Sequence, residues 1–130
     1  MLKDITTSKA PKPFSNYAQG IEVPAGHRIV HVSGQVGATL TGEIPEDPAR
    51  QHQLAWDNAL AVLAEAGMDH TCVVDAHVYI TDRTHIALYR ETRDRVLKGH
   101  RSAATLLIVS GLADPRLVVE VDLVAAAPAT

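Results

Sequence analysis

Alternation of apolar and polar positions marks strands in this chain, and apolar positions recurring three and four residues apart mark helices. The segments YAQGIEV (17–23) and HRIVHVSG (27–34) read as short strands, and the intervening PAGH has the composition of a turn, which predicts a hairpin. His31 and Ser33 stand two residues apart in the second segment, so a pleated strand puts both on one face. From Asp47 the period changes, and Trp56, Ala59, Leu60 and Leu63 form the apolar stripe of a helix. Asp47 ahead of Pro48 suits its N-cap and Gly67 its end.

CVVDAHVYITD (72–82) is again a strand, with Ala76, Val78 and Ile80 on one face and Asp75, His77 and Tyr79 on the other. THIALYRETRDRVLKGH (84–100) predicts a second helix, striped by Ile86, Tyr89, Arg93 and Val96 and closed by Gly99, with RETRDR as a solvated charged face. ATLLIVSG (104–111) and LVVEVDLVAA (117–126) follow as strands joined by LADP. The order β-β-α-β-α-β-β on so short a chain predicts an α+β fold with both helices on one face of a mixed sheet. The other face is too polar for a core and too apolar for water, so association into a closed ring is expected to cover it.

Length and composition narrow the picture. The 130 residues, 46% apolar and 21% charged, fit one globular domain that offers only a shallow pocket unless a partner subunit completes it. We read residues 1–16, which include Pro11 and Pro13 and show little periodicity, as an N-terminal arm, 17–126 as the domain and 127–130 as a tail. No apolar run approaches the about eighteen residues of a membrane helix, and MLKDITTSKAPKPFSN lacks a signal-peptide core, so a cytoplasmic protein is expected. A net charge of −3 with one Phe and one Trp disfavours a nucleic-acid binder. Cys72, the only cysteine, allows no intrachain disulfide and reads as a buried thiol at a strand start. The seven histidines show no metal-ligand spacing.

From Tyr17 to Val124 the chain resembles the Rid family, the reactive-intermediate deaminases also called YjgF-like proteins. The resemblance rests on YAQGIEV, on VSGQVG, on the spacing of NALAVLAEAGM to VVDAHVYITD, and on GLADPRLVVEVDLVA. It implies a chorismate-mutase-like fold assembled as a homotrimer, with sheets closed into a central barrel and pockets between subunits. The implied activity is hydrolysis of reactive enamines and imines to a carbonyl product and ammonia, without metal or organic cofactor. The implied partners are a small-molecule substrate and further copies of the chain, with neither nucleic acid nor membrane. Residue by residue, Glu120 matches the carboxylate that handles water, Ser33 and Tyr17 the pocket, and Gly34 the backbone beside it.

Two positions depart from the pattern. Where deaminating members carry an arginine that clamps the substrate carboxylate, counting back from Glu120 finds Ala104 in RSAATLLIV, and alanine offers no polar contact. Arg101, three residues earlier, is a poor substitute, and Ile86 falls where the family often carries asparagine. An altered substrate is therefore expected. Asp75, His77 and Tyr79 are candidates for replacement contacts, and His31 shares the Ser33 face. His31 and His77 are read either as general bases or as interior residues of the barrel. The alternative function is a non-catalytic trimer that binds small carbonyl or carboxylate metabolites in the same clefts.

Overall fold

A computed structural model describes residues 1–129; Thr130, in the expected tail, lies outside the described residues. The strands are β1 (Lys3–Ile5), β2 (Gly20–Glu22), β3 (His27–Val36), β4 (Val73–Ile80), β5 (Ala103–Ile108) and β6 (Val119–Pro128). The helices are α1 (Pro48–Glu65) and α2 (Ile86–Leu97), and short 3-10 turns precede β4 and α2. Four strands form one mixed sheet in the order β3-β6-β4-β5, parallel only between β4 and β5. The crossover through α2 is what allows two parallel neighbours here.

The predicted hairpin of the first two strand segments does not form. β2 pairs antiparallel with β1 in a separate two-stranded sheet, Ile21 opposite Asp4. The turn at Pro24 to Gly26 was legible, but Lys3–Ile5 offers an exposed partner whose three residues carry no alternation.

The helix ends follow local chemistry. Asp47 accepts from the Ala49 N–H (3.1 Å) at the start of α1, with Pro48 in the first turn where its missing N–H costs nothing. At the other end Gly67 adopts φ +73°, which a side chain would disfavour. The buried face of α1, with Trp56, Ala59 and Leu63, packs on Val78, Ile80, Val119, Val121 and Leu123 of the sheet, and Tyr89, Val96 and Leu97 of α2 close the same core. Gln51, fully buried, ties α1 to two loops: its amide donates to the Pro45 and Arg116 carbonyls (both 2.9 Å) and accepts from the Val118 N–H (2.9 Å).

Two further readings are corrected by packing. Cys72 is half-buried at the end of the 3-10 turn His70–Cys72, because Asp69 caps that turn before the strand begins. The RETRDR run, read as a solvated face, is not solvated throughout: Arg93, which also falls on the expected apolar stripe, is 2% exposed. Its Nη1 donates to Ser15 Oγ (3.1 Å) and Tyr89 Oη (3.4 Å), and its Nε donates to Asp94 Oδ1 (3.0 Å). The guanidinium also stacks 5.2 Å above the Tyr89 ring, so its charge enters the core edge with partners already in place.

Candidate functional site

Strand parity divides the expected site residues between the two faces of the sheet. Ala76, Val78 and Ile80 of β4 are buried under the helices, and Ala104 lies opposite Ala76 in the ladder, so it belongs to the helix-covered face. Tyr79 lies opposite Glu120, and His77 opposite Asp122, so those four side chains belong to the uncovered face. β3 and β5 are the two edges, separated by three strand steps or about 14 Å.

At the β3 edge the register shifts between Val32 and Gln35, so Ser33 and Gly34 together oppose a single residue of β6. The bulge brings the exposed Gly34 beside Glu120, with Ser33, also exposed, the preceding residue of the strand. A Cβ on Gly34 would collide with the Glu120 carboxylate, meeting Oε2 in deep overlap and Cδ at 2.8 Å. The glycine is therefore what lets the carboxylate lie flat against the β3 backbone. A groove of about 600 Å³ opens next to it, between the end of β3 and α1, bordered by Gly34, Val36, Asn58 and Val62. Asn58 fixes that wall by donating to the Val36 and Ala38 carbonyls (both 3.0 Å).

On the uncovered face His77 is held between two carboxylates, Nδ1 at 2.8 Å from Asp122 Oδ1 and Nε2 at 2.9 Å from Asp75 Oδ2. Tyr79 Oη donates to the other oxygen of Asp122 (2.7 Å). Partial burial works against the imidazolium, but the Asp122 hydrogen bond and the charges of Asp75 and Asp122 outweigh it and raise His77 above the usual histidine range. The hydrogen bond to Asp122, with burial, pushes the Tyr79 phenol up to about 12. Both nitrogens of His77 are thus engaged within the chain. His31, opposite Val124, is exposed on the same face.

At the β5 edge the arm, α2 and β5 enclose a cavity of about 210 Å³, lined by Tyr17, Tyr89, Arg90, Ala104 and Leu106 with Phe14 and Ser15 at its rim. The arm is pinned there: the Ala18 N–H donates to the Ser102 carbonyl (2.8 Å), and Arg101 donates to the Tyr17 carbonyl (3.1 Å) while pairing with Asp4 (2.9 Å). Arg101 is committed to that role. Tyr17 and Ala104 are brought together, whereas Ser33, Gly34 and Glu120 gather at the opposite edge. Arg90 was not singled out from the sequence; its position next to Tyr89, on the flank of the apolar stripe, was the available signal.

Among the described residues no cluster of three or more His, Cys, Asp or Glu side chains is arranged to hold a metal ion, and no helix is long and apolar enough to cross a membrane.

Two helices on one face of a mixed sheet, with a carboxylate seated on glycine at one edge and a tyrosine-lined cavity at the other, define an α+β protein of the YjgF type. The chain belongs to the Rid family, whose model, described as Endoribonuclease L-PSP, matches residues 7–127. It is 31% identical over 103 residues to the 2-iminobutanoate/2-iminopropanoate deaminase of Escherichia coli (strain K12), covering 78% of each chain. It is 32% identical over 134 aligned positions to protein DfrA of Myxococcus xanthus, covering 95% of this chain and 94% of that one. Its fold superposes on the Rid family protein YyfB of Yersinia pestis with a TM-score of 0.85 at 22% identity, covering 97% of this chain and 98% of that one. It also superposes on E. coli TdcF, solved with bound serine, with a TM-score of 0.73 at 29% identity over 96% of this chain and 98% of that one.

Proposed function

We propose that this protein is a hydrolase of carbon–nitrogen double bonds, converting a reactive imine, or an enamine after tautomerisation, to a carbonyl compound and ammonia. The observation that carries the reading is the Glu120 carboxylate resting on Gly34 beside Ser33. An imine carbon is already electrophilic, so a placed water, a base and oriented donors suffice. Glu120 takes a proton from the water as its oxygen bonds to the imine carbon. With the imine protonated, the C=N π pair goes to nitrogen in that addition. The neutral carbinolamine then collapses as the proton held by Glu120 passes to nitrogen, the hydroxyl oxygen forms C=O while the C–N bond breaks, and the hydroxyl proton goes to the Glu120 carboxylate, releasing ammonia. Ser33 Oγ and the Gly34 N–H orient the reacting atoms, and Tyr17 supplies a donor from the other half.

A substrate small enough for these cavities cannot reach both halves in one chain, because Glu120 and Ala104 lie on opposite faces and the edges are about 14 Å apart. We therefore place the reactive cleft between copies in a ring closed by three, each β3 edge meeting a neighbour's β5 edge. In this arrangement His31 and the Asp75–His77–Asp122–Tyr79 network face the enclosed interior. The acidic residues on that face, with a net charge of −3, oppose a phosphate backbone, which weighs against a nuclease reading.

Ammonia release from imines generated in situ tests the proposal. Glu120→Gln and Ser33→Ala are expected to remove most of the acceleration, and unchanged rates in both would reject it. The second reading, a binding protein without turnover, is favoured by one observation, the alanine at 104 where the resemblance implies an arginine. Saturable carboxylate binding with no turnover on any imine would select it.

A further inference from the structure

The cavity at the β5 edge has an apolar floor and one charged wall. Ala104, Leu106 and the Tyr89 ring form the floor, and Arg90 of α2 is the only charged side chain in the lining. Charge pairing along α2 leaves that arginine free. Asp94, four residues on and within helical reach, is taken by Arg93 (3.0 Å), and Glu91 pairs with Arg95 (3.7 Å). Among the described residues Arg90 has no carboxylate partner, whereas Arg93, Arg95, Arg101 and Arg116 each have one. Neutral donors stand on the same cavity. The Ser15 hydroxyl accepts from Arg93 and so keeps its own proton to donate, and Tyr17 presents its phenol.

We propose that Arg90 binds the carboxylate of the substrate, and that the space over Ala104 and Leu106 takes an apolar side chain. The guanidinium presents a two-pronged donor set suited to a carboxylate, and placing it on the helix rather than on β5 frees the strand floor for apolar contact. Buried Arg93 is a positioning residue, since it fixes Ser15 and Tyr89 against the same cavity without lining it.

This inference rests on the hydrolase reading for its turnover arm only, and a binding arm separates the two. The full-length protein is titrated with 4-methyl-2-oxopentanoate, the stable keto-acid product of the leucine-derived imine, by calorimetry. In parallel, ammonia release is followed with imines generated from leucine, from alanine and from a simple uncharged amine. Arg90→Ala is expected to weaken keto-acid binding and to raise KM for the leucine-derived imine about tenfold or more, with Arg90→Lys recovering part of the loss. The uncharged imine should be unaffected, and Arg50→Ala, a change at an exposed arginine elsewhere on α1, should match wild type. Wild type should prefer the leucine-derived imine over the alanine-derived one. Arg90-dependent binding without turnover would uphold the inference and reject the hydrolase. Turnover or binding indifferent to Arg90, or no binding of the keto acid at all, would overturn the inference.

Discussion

His52 makes stability depend on pH in a direction and size that follow from its surroundings. It sits on the inner face of α1, fully buried, and neither ring nitrogen has a hydrogen-bond partner within the protein. The ring of His85, ahead of α2, packs edge-on at 6.2 Å, and Trp56 one turn along contributes an indole N–H that is also unpartnered. Burial, with the nearby His85 charge second, lowers the His52 pKa from 6.5 to about 4. Because the folded value lies below the unfolded one, its contribution is complete above pH 6.5 and disappears as the pH falls toward 4. The full difference amounts to about 3 kcal/mol, of which about 2 kcal/mol is lost between pH 7.5 and pH 5. His77 runs the opposite way: its folded value is raised, so its contribution is full below 6.5 and is lost as the pH rises through the folded value. Only a comparison that shares His77 isolates His52. Urea unfolding of wild type and His52→Leu at pH 7.5 and pH 5, at one fixed protein concentration, provides it. Leucine fills a similar volume and leaves no buried ring nitrogen, so the variant should gain about 2 kcal/mol relative to wild type on acidification. A difference between the two proteins that stays constant across this range would refute the reasoning.

Three further outcomes follow from named contacts. Gly34→Ala should drive the Glu120 carboxylate off its seat and lower kcat for imine hydrolysis by about a hundredfold, with stability reduced by no more than about 1 kcal/mol, as read from turnover and urea midpoints. Gln51→Leu leaves two carbonyls and one N–H without partners and should cost about 3 kcal/mol in the same denaturation assay. Arg93→Met should release the arm from α2 and speed tryptic cleavage after the exposed Lys9, with the folded core retained on a gel.

What the sequence made legible was decided by local forces. Asp47, Pro48 and Gly67 act within one turn of themselves, so α1 starts and stops where expected. Alternation assigned Asp75, His77 and Tyr79 to a single face, and the β4–β6 ladder sets Glu120 and Asp122 on that same face. Long-range partners were not legible. Lys3–Ile5 captured β2 without any period of its own, and the stripe that included Arg93 did not reveal how its charge is buried, because a hydrogen-bond partner, Ser15, lies 78 residues away. The bulge at Ser33 and Gly34 was likewise hidden, because an extra residue in one strand is visible only against its partner. Arg90 escaped for the same reason: RETRDR suggests internal ion pairs throughout, and only the side-chain geometry reveals which arginine is left over.

The separation of the two halves leads to a test that no single-chain site could pass. On the proposed reading each cleft draws Glu120, Ser33 and Gly34 from one copy and Tyr17 and the β5-edge cavity from the next, the head-to-tail contact that closes a ring. Glu120→Gln disables the first half and Tyr17→Ala the second, and each variant alone should be nearly inactive. When the two are unfolded together in equal amounts and refolded, a cleft is intact on both sides only if a Glu120→Gln chain contributes the tyrosine and a Tyr17→Ala chain the carboxylate. Random assembly gives that pairing in about one cleft in four, so about a quarter of wild-type activity should return. A site contained within one chain would return none, since every chain in the mixture carries one lesion. Recovery near a quarter therefore measures the division of the site directly, whereas a mixture no more active than its components would place Tyr17 and Glu120 in the same cleft half and undo the assignment of faces to neighbours.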